Sequence, residues 1–206
     1  MSASLGGGAR RERSITITAT RRWLATACAA GSVLTVAPAA TAGAAPYCGI
    51  TWGSLQKQDL DHTTAHITNL RAGRHDCFDR LVVDLGPPAA GLPGPQDEGF
   101  TVRYVSQVLD DPSGAPVALA GGAFLEIVVN ARALTDDFEP TYSPANPAQA
   151  VAVGGFRTLR QVAFLGTHEA QTQIGLGVRA RLPFRVFVLD GPGGGSRVVI
   201  DVAHQW

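Results

Sequence analysis

The sequence predicts an all-β fold: a two-sheet β-sandwich of short antiparallel strands with pseudo-repeated halves. Three observations carry this expectation. Short apolar segments recur between Gly- and Pro-rich turns from Phe78 to Val202. Thr172, Ile174, Leu176 and Val178 alternate with Gln173, Gly175, Gly177 and Arg179, the two-residue period of a half-buried strand. No long amphipathic helical pattern stands out along the chain.

The chain of 206 residues opens with a segment unlike the rest. Arg10, Arg11, Arg13, Arg21 and Arg22 make it basic, Trp23 to Val36 is moderately apolar, and "APAATAGAAP" supplies small residues of the A-x-A kind. That order is a secretory signal peptide, assigned to residues 1–44 with cleavage between Ala42 and Ala45. The apolar stretch is short for a spanning helix, so no stable membrane span is expected after cleavage. The expected location is secreted or cell-envelope associated, through the Sec route. The Arg21–Arg22 pair also fits Tat export. Cys28 belongs to the discarded peptide.

The remainder, roughly 160 residues, is long enough for one sizeable core. The leader takes five of the 17 basic residues and one of the 17 acidic ones, so the mature chain carries about −4. A single lysine, Lys57, and no basic run argue against a nucleic-acid partner.

Residues 45–77 read as an N-terminal arm. They mix polar and β-branched residues without a sustained period, with one strand expected near Ala65 to Leu70. Cys48 and Cys77, the two cysteines left after cleavage, are expected to form a disulfide in an exported chain. Closing a loop of about 30 residues contributes on the order of 3 kcal/mol.

From Phe78 the pattern is strongly β. Strands are expected at Phe78 to Leu85, Phe100 to Leu109 and Ala123 to Ala131. Loops rich in Gly and Pro follow Leu85 and Leu109. The long segment Asp136 to Gly155 is expected to be functional or mobile, given its length. Phe156 to Leu165 reads as a strand or a short helix leading into one, with a turn at Gly166 to Glu169. The glycines of the Thr172–Val178 strand mark either a close backbone approach or a bulge. Phe184 to Leu189 is apolar on both faces and is expected at the centre of a sheet, and Arg197 to Val202 is the last strand.

"DRLVVDL" at Asp79 to Leu85 and "SRVVIDV" at Ser196 to Val202 form a repeated phrase. Arg80, Val82 and Asp84 match Arg197, Val199 and Asp201 identically, and these share one strand face. The opposite face is matched only in being apolar, as a core requires. Arg and Asp four apart on one strand stand roughly 13 Å apart and cannot pair with each other. They can pair across antiparallel strands, so the two copies are expected to mark pseudo-equivalent half-sheets tied by their Arg and Asp side chains.

These segments also carry a family resemblance. "PFRVFVLDGPGGGSRVVIDVAHQW", with "FDRLVVDLG" and "YCGITWGS", resembles the actinobacterial AMIN-like domain proteins over Cys48 to Trp206. The resemblance implies two similar β-sheets packed together, an AMIN-like β domain at residues 78–206 and an envelope location. In related AMIN domains, which accompany cell-wall amidases and secretin-type proteins, it implies localisation and contact with peptidoglycan. No catalytic or secretin portion is expected beside the AMIN-like part from these residues.

Chemistry is sparse. Neither G-x-S-x-G nor H-E-x-x-H nor a P-loop occurs. His62 and His66, near Asp59, Asp61, His75 and Asp76, lie in a β-branched stretch that forms helices poorly, so no metal is assigned. His168, Glu169, Asp190 and His204 are titratable but lack a recognisable nucleophile, so no catalytic residue and no cofactor is assigned. The candidate ligand-binding cluster is Phe156, Arg157, Arg160 and Gln161, whose guanidinium, amide and aromatic groups suit glycopeptide. Trp52 and Trp206 are expected to pack as a seal near the two chain ends. The expected function is a non-catalytic envelope module that binds peptidoglycan or another envelope component. The alternatives are a protein–protein adaptor using a sheet edge or the 136–155 loop, and a hydrolase with an unrecognised site.

Overall fold

A computed structural model describes residues 48–89 and 98–206. The predicted signal peptide lies outside the described residues, as does part of the Pro-rich loop after Leu85. Nine strands are formed among the described residues: β1 (Lys57–Asp59), β2 (Ile67–Arg74), β3 (Phe78–Leu85), β4 (Phe100–Val105), β5 (Ala123–Val129), β6 (Leu159–His168), β7 (Gln171–Val178), β8 (Phe184–Asp190) and β9 (Ser196–Ala203). They make two antiparallel sheets, one of five strands in the order β1-β4-β5-β7-β6 and one of four in the order β2-β3-β9-β8.

Alternation along each strand builds the interior. Leu81, Val83 and Leu85 of β3 and Val198, Ile200 and Val202 of β9 belong to the same buried cluster as Leu125, Ile127 and Val129 of β5 and Ile174, Leu176 and Val178 of β7. Each such side chain contributes about 1.5–3 kcal/mol on burial. The sandwich is therefore one core between two sheets.

Three sequence expectations change. The 45–77 span, read as an arm, supplies two strands, and β2 forms a hairpin with β3. The segment from Phe184, expected to be central because both faces are apolar, is the edge strand β8. Its outward Phe187 is covered by arginine guanidinium groups instead of by another strand or layer. Finally, the repeated phrase does not mark two separate half-sheets. Its copies, β3 and β9, are the two central neighbours of a single sheet.

The Cys48–Cys77 disulfide is formed, with Cα atoms 5.3 Å apart, and ties the chain ahead of β1 to the start of β3. The Asp136–Gly155 segment packs on the body. Ala150 N donates to Val162 O, Thr141 Oγ1 donates to Ile67 O, and the Tyr142 ring meets Phe164 edge-on at 5.1 Å. Phe138 on this segment is 76 % exposed with φ of 64°.

The outer faces of the two sheets differ. Gly175 and Gly177 lie on the outer face of β7, and the chain crosses directly over them. A Cβ on Gly177 would stand 1.9 Å from Ala120 O, and one on Gly175 3.0 Å from Leu119. Gln161 and Gln173 fasten this crossing segment, Gln161 to Ala118 O and Ala120 N, Gln173 to Leu109 O and Asp111 N. Of the two readings of those glycines, close approach is the one realised. The bulges in this part of the sheet fall on β6, between Leu159 and Gln161 and between Phe164 and Gly166. A further bulge lies in β2 between Ile67 and Asn69. The edge of β8 is met at its start by Gly53, whose carbonyl accepts from Phe184 N at 2.9 Å.

Candidate functional site

The outer face of the four-stranded sheet carries the most organised polar chemistry. With Leu81 and Val83 turned inward, alternation turns Arg80, Val82 and Asp84 toward the outer face, and the same parity turns Arg197, Val199 and Asp201 of β9 that way. The register sets Arg80 opposite Asp201 and Asp84 opposite Arg197. Arg80 donates from Nε to Asp201 Oδ1 at 2.6 Å and from Nη2 to Oδ2 at 2.9 Å, a bidentate pair. Arg185 of β8, also opposite Asp201, donates from Nε to Oδ2 at 2.9 Å. Asp201 is fully buried beneath these two guanidinium groups.

Aromatic rings fix the same groups from the side. The Arg185 guanidinium lies 4.2 Å from the Trp52 ring centre, 5.1 Å from that of Phe187 and 5.4 Å from that of Phe78. Arg80 lies 5.3 Å from Phe78 and 5.5 Å from Phe187. Trp52 meets Phe78 edge-on at 5.7 Å. Two arginines thus share one buried carboxylate. The result is a rigid shelf of aromatic faces and preoriented N–H donors.

A second Arg–Asp group lies farther along the same strands. Arg71 of β2 donates from Nε to Asp84 Oδ2 at 2.7 Å and from Nη2 to Oδ1 at 2.9 Å. This hydrogen bond holds the Arg71 guanidinium above its ordinary pKa, with desolvation opposing and the Asp84 charge assisting. Arg197 stands apart, its Nε 3.9 Å from Asp84 Oδ1. Arg71, Asp84 and Arg197 line a shallow groove of about 510 Å³ with Thr68, Asn69 and Pro192.

The cluster expected from sequence is engaged differently. Arg160 donates to the carbonyls of Phe156, Arg157 and Leu159. Arg157 donates to Asp76 O, and Gln161 also donates to Ala148 O at 2.8 Å. Phe156 packs against the core under Arg74. Arg160 and Gln161 still line a groove of about 330 Å³ with Gln149 and Val151. Much of their donor capacity, however, is spent holding the local backbone.

Asp79 faces inward at the start of β3, is fully buried, and accepts from the backbone N–H groups of Thr158 and Leu159. His204 Nε2 lies 3.1 Å from Asp79 Oδ1, and its Nδ1 lies 3.1 Å from Asp76 O. Both ring nitrogens are thus committed to the chain, and the Thr158 hydroxyl donates to Ala203 O. His168 is 3.8 Å from Asp111 on an exposed turn. Among the described residues no group of three His, Cys, Asp or Glu side chains converges as a metal site, and no helix is long and apolar enough to cross a membrane. Trp206 is 68 % exposed and donates to Arg181 O, whereas Trp52 joins the arginine shelf.

Sequence reading missed Arg71, Arg185 and Trp52 as members of this face. Arg185 carried a usable signal. It precedes Phe187 by two in a strand, so any strand paired with β9 in this register brings it to Asp201. Trp52 carried none, because contacts distant in sequence bring its segment to the sheet: the disulfide, the Gly53–Phe184 hydrogen bond and the Arg181–Ser54 hydrogen bonds.

Comparison with curated proteins and with solved structures returned no match. The family model for the AMIN-like domain matches residues 65–204, which takes in β2 through β9 and both Arg–Asp groups but leaves Cys48 and Trp52 outside. On that match the chain belongs to the AMIN-like domain family.

Proposed function

We propose that this chain is an exported, non-catalytic cell-envelope module that binds peptidoglycan or another envelope component. Family membership supports an envelope-related role. The Cys48–Cys77 bridge agrees with an oxidising, extracytoplasmic compartment. The observation that carries the binding reading is the Trp52–Arg185–Asp201–Arg80 shelf. Its guanidinium groups are oriented before any ligand arrives, one of them stacked on the Trp52 indole. Arginines held this way suit the carboxylates and hydroxyls of a glycopeptide.

Phe156, Arg157, Arg160 and Gln161 remain a second candidate surface through the groove that Arg160 and Gln161 line. Co-sedimentation of the purified protein with insoluble peptidoglycan tests the function. Binding that saturates is expected, and protein left wholly in the supernatant overturns the peptidoglycan reading.

A further inference from the structure

Arg197 is anomalous among the arginines of this fold. Every other described arginine except Arg74 donates at least one hydrogen bond within the chain. Arg74 stands in solvent over the Phe156 ring. The Arg197 side chain is only 34 % exposed, donates no hydrogen bond among the described residues, and has a buried Nε without a partner. A guanidinium offers five N–H donors, and a buried donor such as this Nε left without a hydrogen bond is costly.

Arg71 takes both oxygens of Asp84 in a bidentate pair, and Arg197 Nε stays 3.9 Å from Oδ1, beyond hydrogen-bond reach. The equivalent group at the other end of the strands behaves differently, for there both Arg80 and Arg185 reach Asp201. The repeat therefore holds one fully shared carboxylate and one that leaves an arginine over. Asn69, opposite Asp84 in the β2–β3 register, brings its amide to the same groove. Two arginines against one aspartate give that groove a net charge of +1.

We infer that the groove lined by Asn69, Arg71, Asp84 and Arg197 is an oxyanion site, taking a phosphate or carboxylate group on Arg197. Asp84 is the one negative group in it, and Arg71 neutralises that charge. Asp84 and Arg71 thus work as a shield that leaves Arg197 available to a ligand. The inference does not depend on peptidoglycan being the envelope component bound by the Trp52–Arg185 shelf.

The test uses the uniformly 15N-labelled full chain, titrated at constant ionic strength with sodium phosphate and in parallel with sodium acetate. Saturable shifts are expected at the Arg197 side-chain Nε–H and the backbone amides of Asn69 and Arg197. Saturation by phosphate alone identifies a phosphate ester site, and saturation by both identifies a general oxyanion site; either supports the inference. Arg197→Gln, with the rest of its spectrum unchanged, should bind phosphate roughly tenfold more weakly, the loss of one charge-assisted contact. Arg71→Gln should also weaken binding, because it frees Asp84 to pair with Arg197. No saturable shift, or an unchanged response in Arg197→Gln, overturns the inference. Peptidoglycan sedimentation measured on the same variants separates the two claims, since loss of phosphate binding with sedimentation retained bears on this groove alone.

Discussion

Arg80 and Asp201 sit directly opposite each other, 121 residues apart in sequence, joined by two parallel hydrogen bonds. Asp201 is fully buried, while Asp84, its counterpart in the repeat, keeps partial contact with solvent. Removing the Asp201 charge leaves two guanidinium groups without their counter-ion. Asp201→Asn should therefore cost about 3 kcal/mol in urea unfolding. Asp84→Asn breaks a more exposed pair and should cost about 1 kcal/mol or less. Equal costs for the two would mean that burial does not set the difference.

Trp52 and Arg185 should matter for binding more than for folding. Trp52→Ala and Arg185→Gln should each weaken peptidoglycan binding about tenfold, the effect of losing one anchoring residue. Circular dichroism would verify that the sheets persist. Undiminished sedimentation in both variants would shift the site to the Arg160–Gln161 groove.

The Cys48–Cys77 bridge closes a separation of 29 residues. A Cys48→Ser, Cys77→Ser double variant should lose about 3 kcal/mol of stability. It should also loosen the segment that carries Trp52, read as faster proteolysis ahead of β1. Non-reducing mass spectrometry of exported protein should show no free thiol at either position.

Gly177 tests the crossing segment. Because its missing Cβ makes room for Ala120 O, Gly177→Ala should destabilise by about 2–3 kcal/mol. Gly154→Ala, where a Cβ meets nothing within 4 Å, should change stability little. A mild Gly177→Ala would show that the crossing segment moves freely.

Tyr104 provides an alkaline signature. Its hydroxyl donates to Leu182 O at 2.9 Å and accepts from Leu182 N at 3.0 Å. Burial pushes its pKa up from the ordinary value, with the hydrogen bond to Leu182 and the Arg181 charge opposing. The fold thus prefers the neutral phenol. The stability this contributes is complete below the unfolded value near about pH 10 and is lost as pH rises through the folded one. Melting temperature should fall above that pH, and less steeply in Tyr104→Phe. Tyr142, also raised by burial, continues to titrate in the variant, so some slope remains. An identical slope would remove Tyr104 from the account.

Much of the fold was legible because strand parity is a local property. The all-β class and the core faces of β3, β5, β7 and β9 follow from a two-residue period, whereas the choice between close approach and bulge at the β7 glycines needed the crossing segment. The position of β8 was not legible. An outward Phe187 reads as burial against another layer, and nothing local says that arginines from β3 and from its own strand will cover it. The repeated phrase identified Arg80, Asp84, Arg197 and Asp201, yet which carboxylate would be shared depends on Arg71 and Arg185 from the flanking strands. Those partners are set by sheet order, which a single sequence does not encode locally. The Phe156–Gln161 cluster shows the reverse problem. Its residue types suit a ligand, but in the fold their hydrogen bonds go largely to nearby backbone.

The four sheet edges carry a consequence for self-association. Strand-by-strand stacking of like molecules needs a long, regular row of unpaired N–H and C=O groups. β1 offers three residues, β2 is broken by a bulge, β6 by two, and β8 has its first N–H occupied by Gly53. Each edge is spoiled as a template in a different way. A protein so rich in β structure gains from this a protection against fibrillar assembly that its composition alone would not provide.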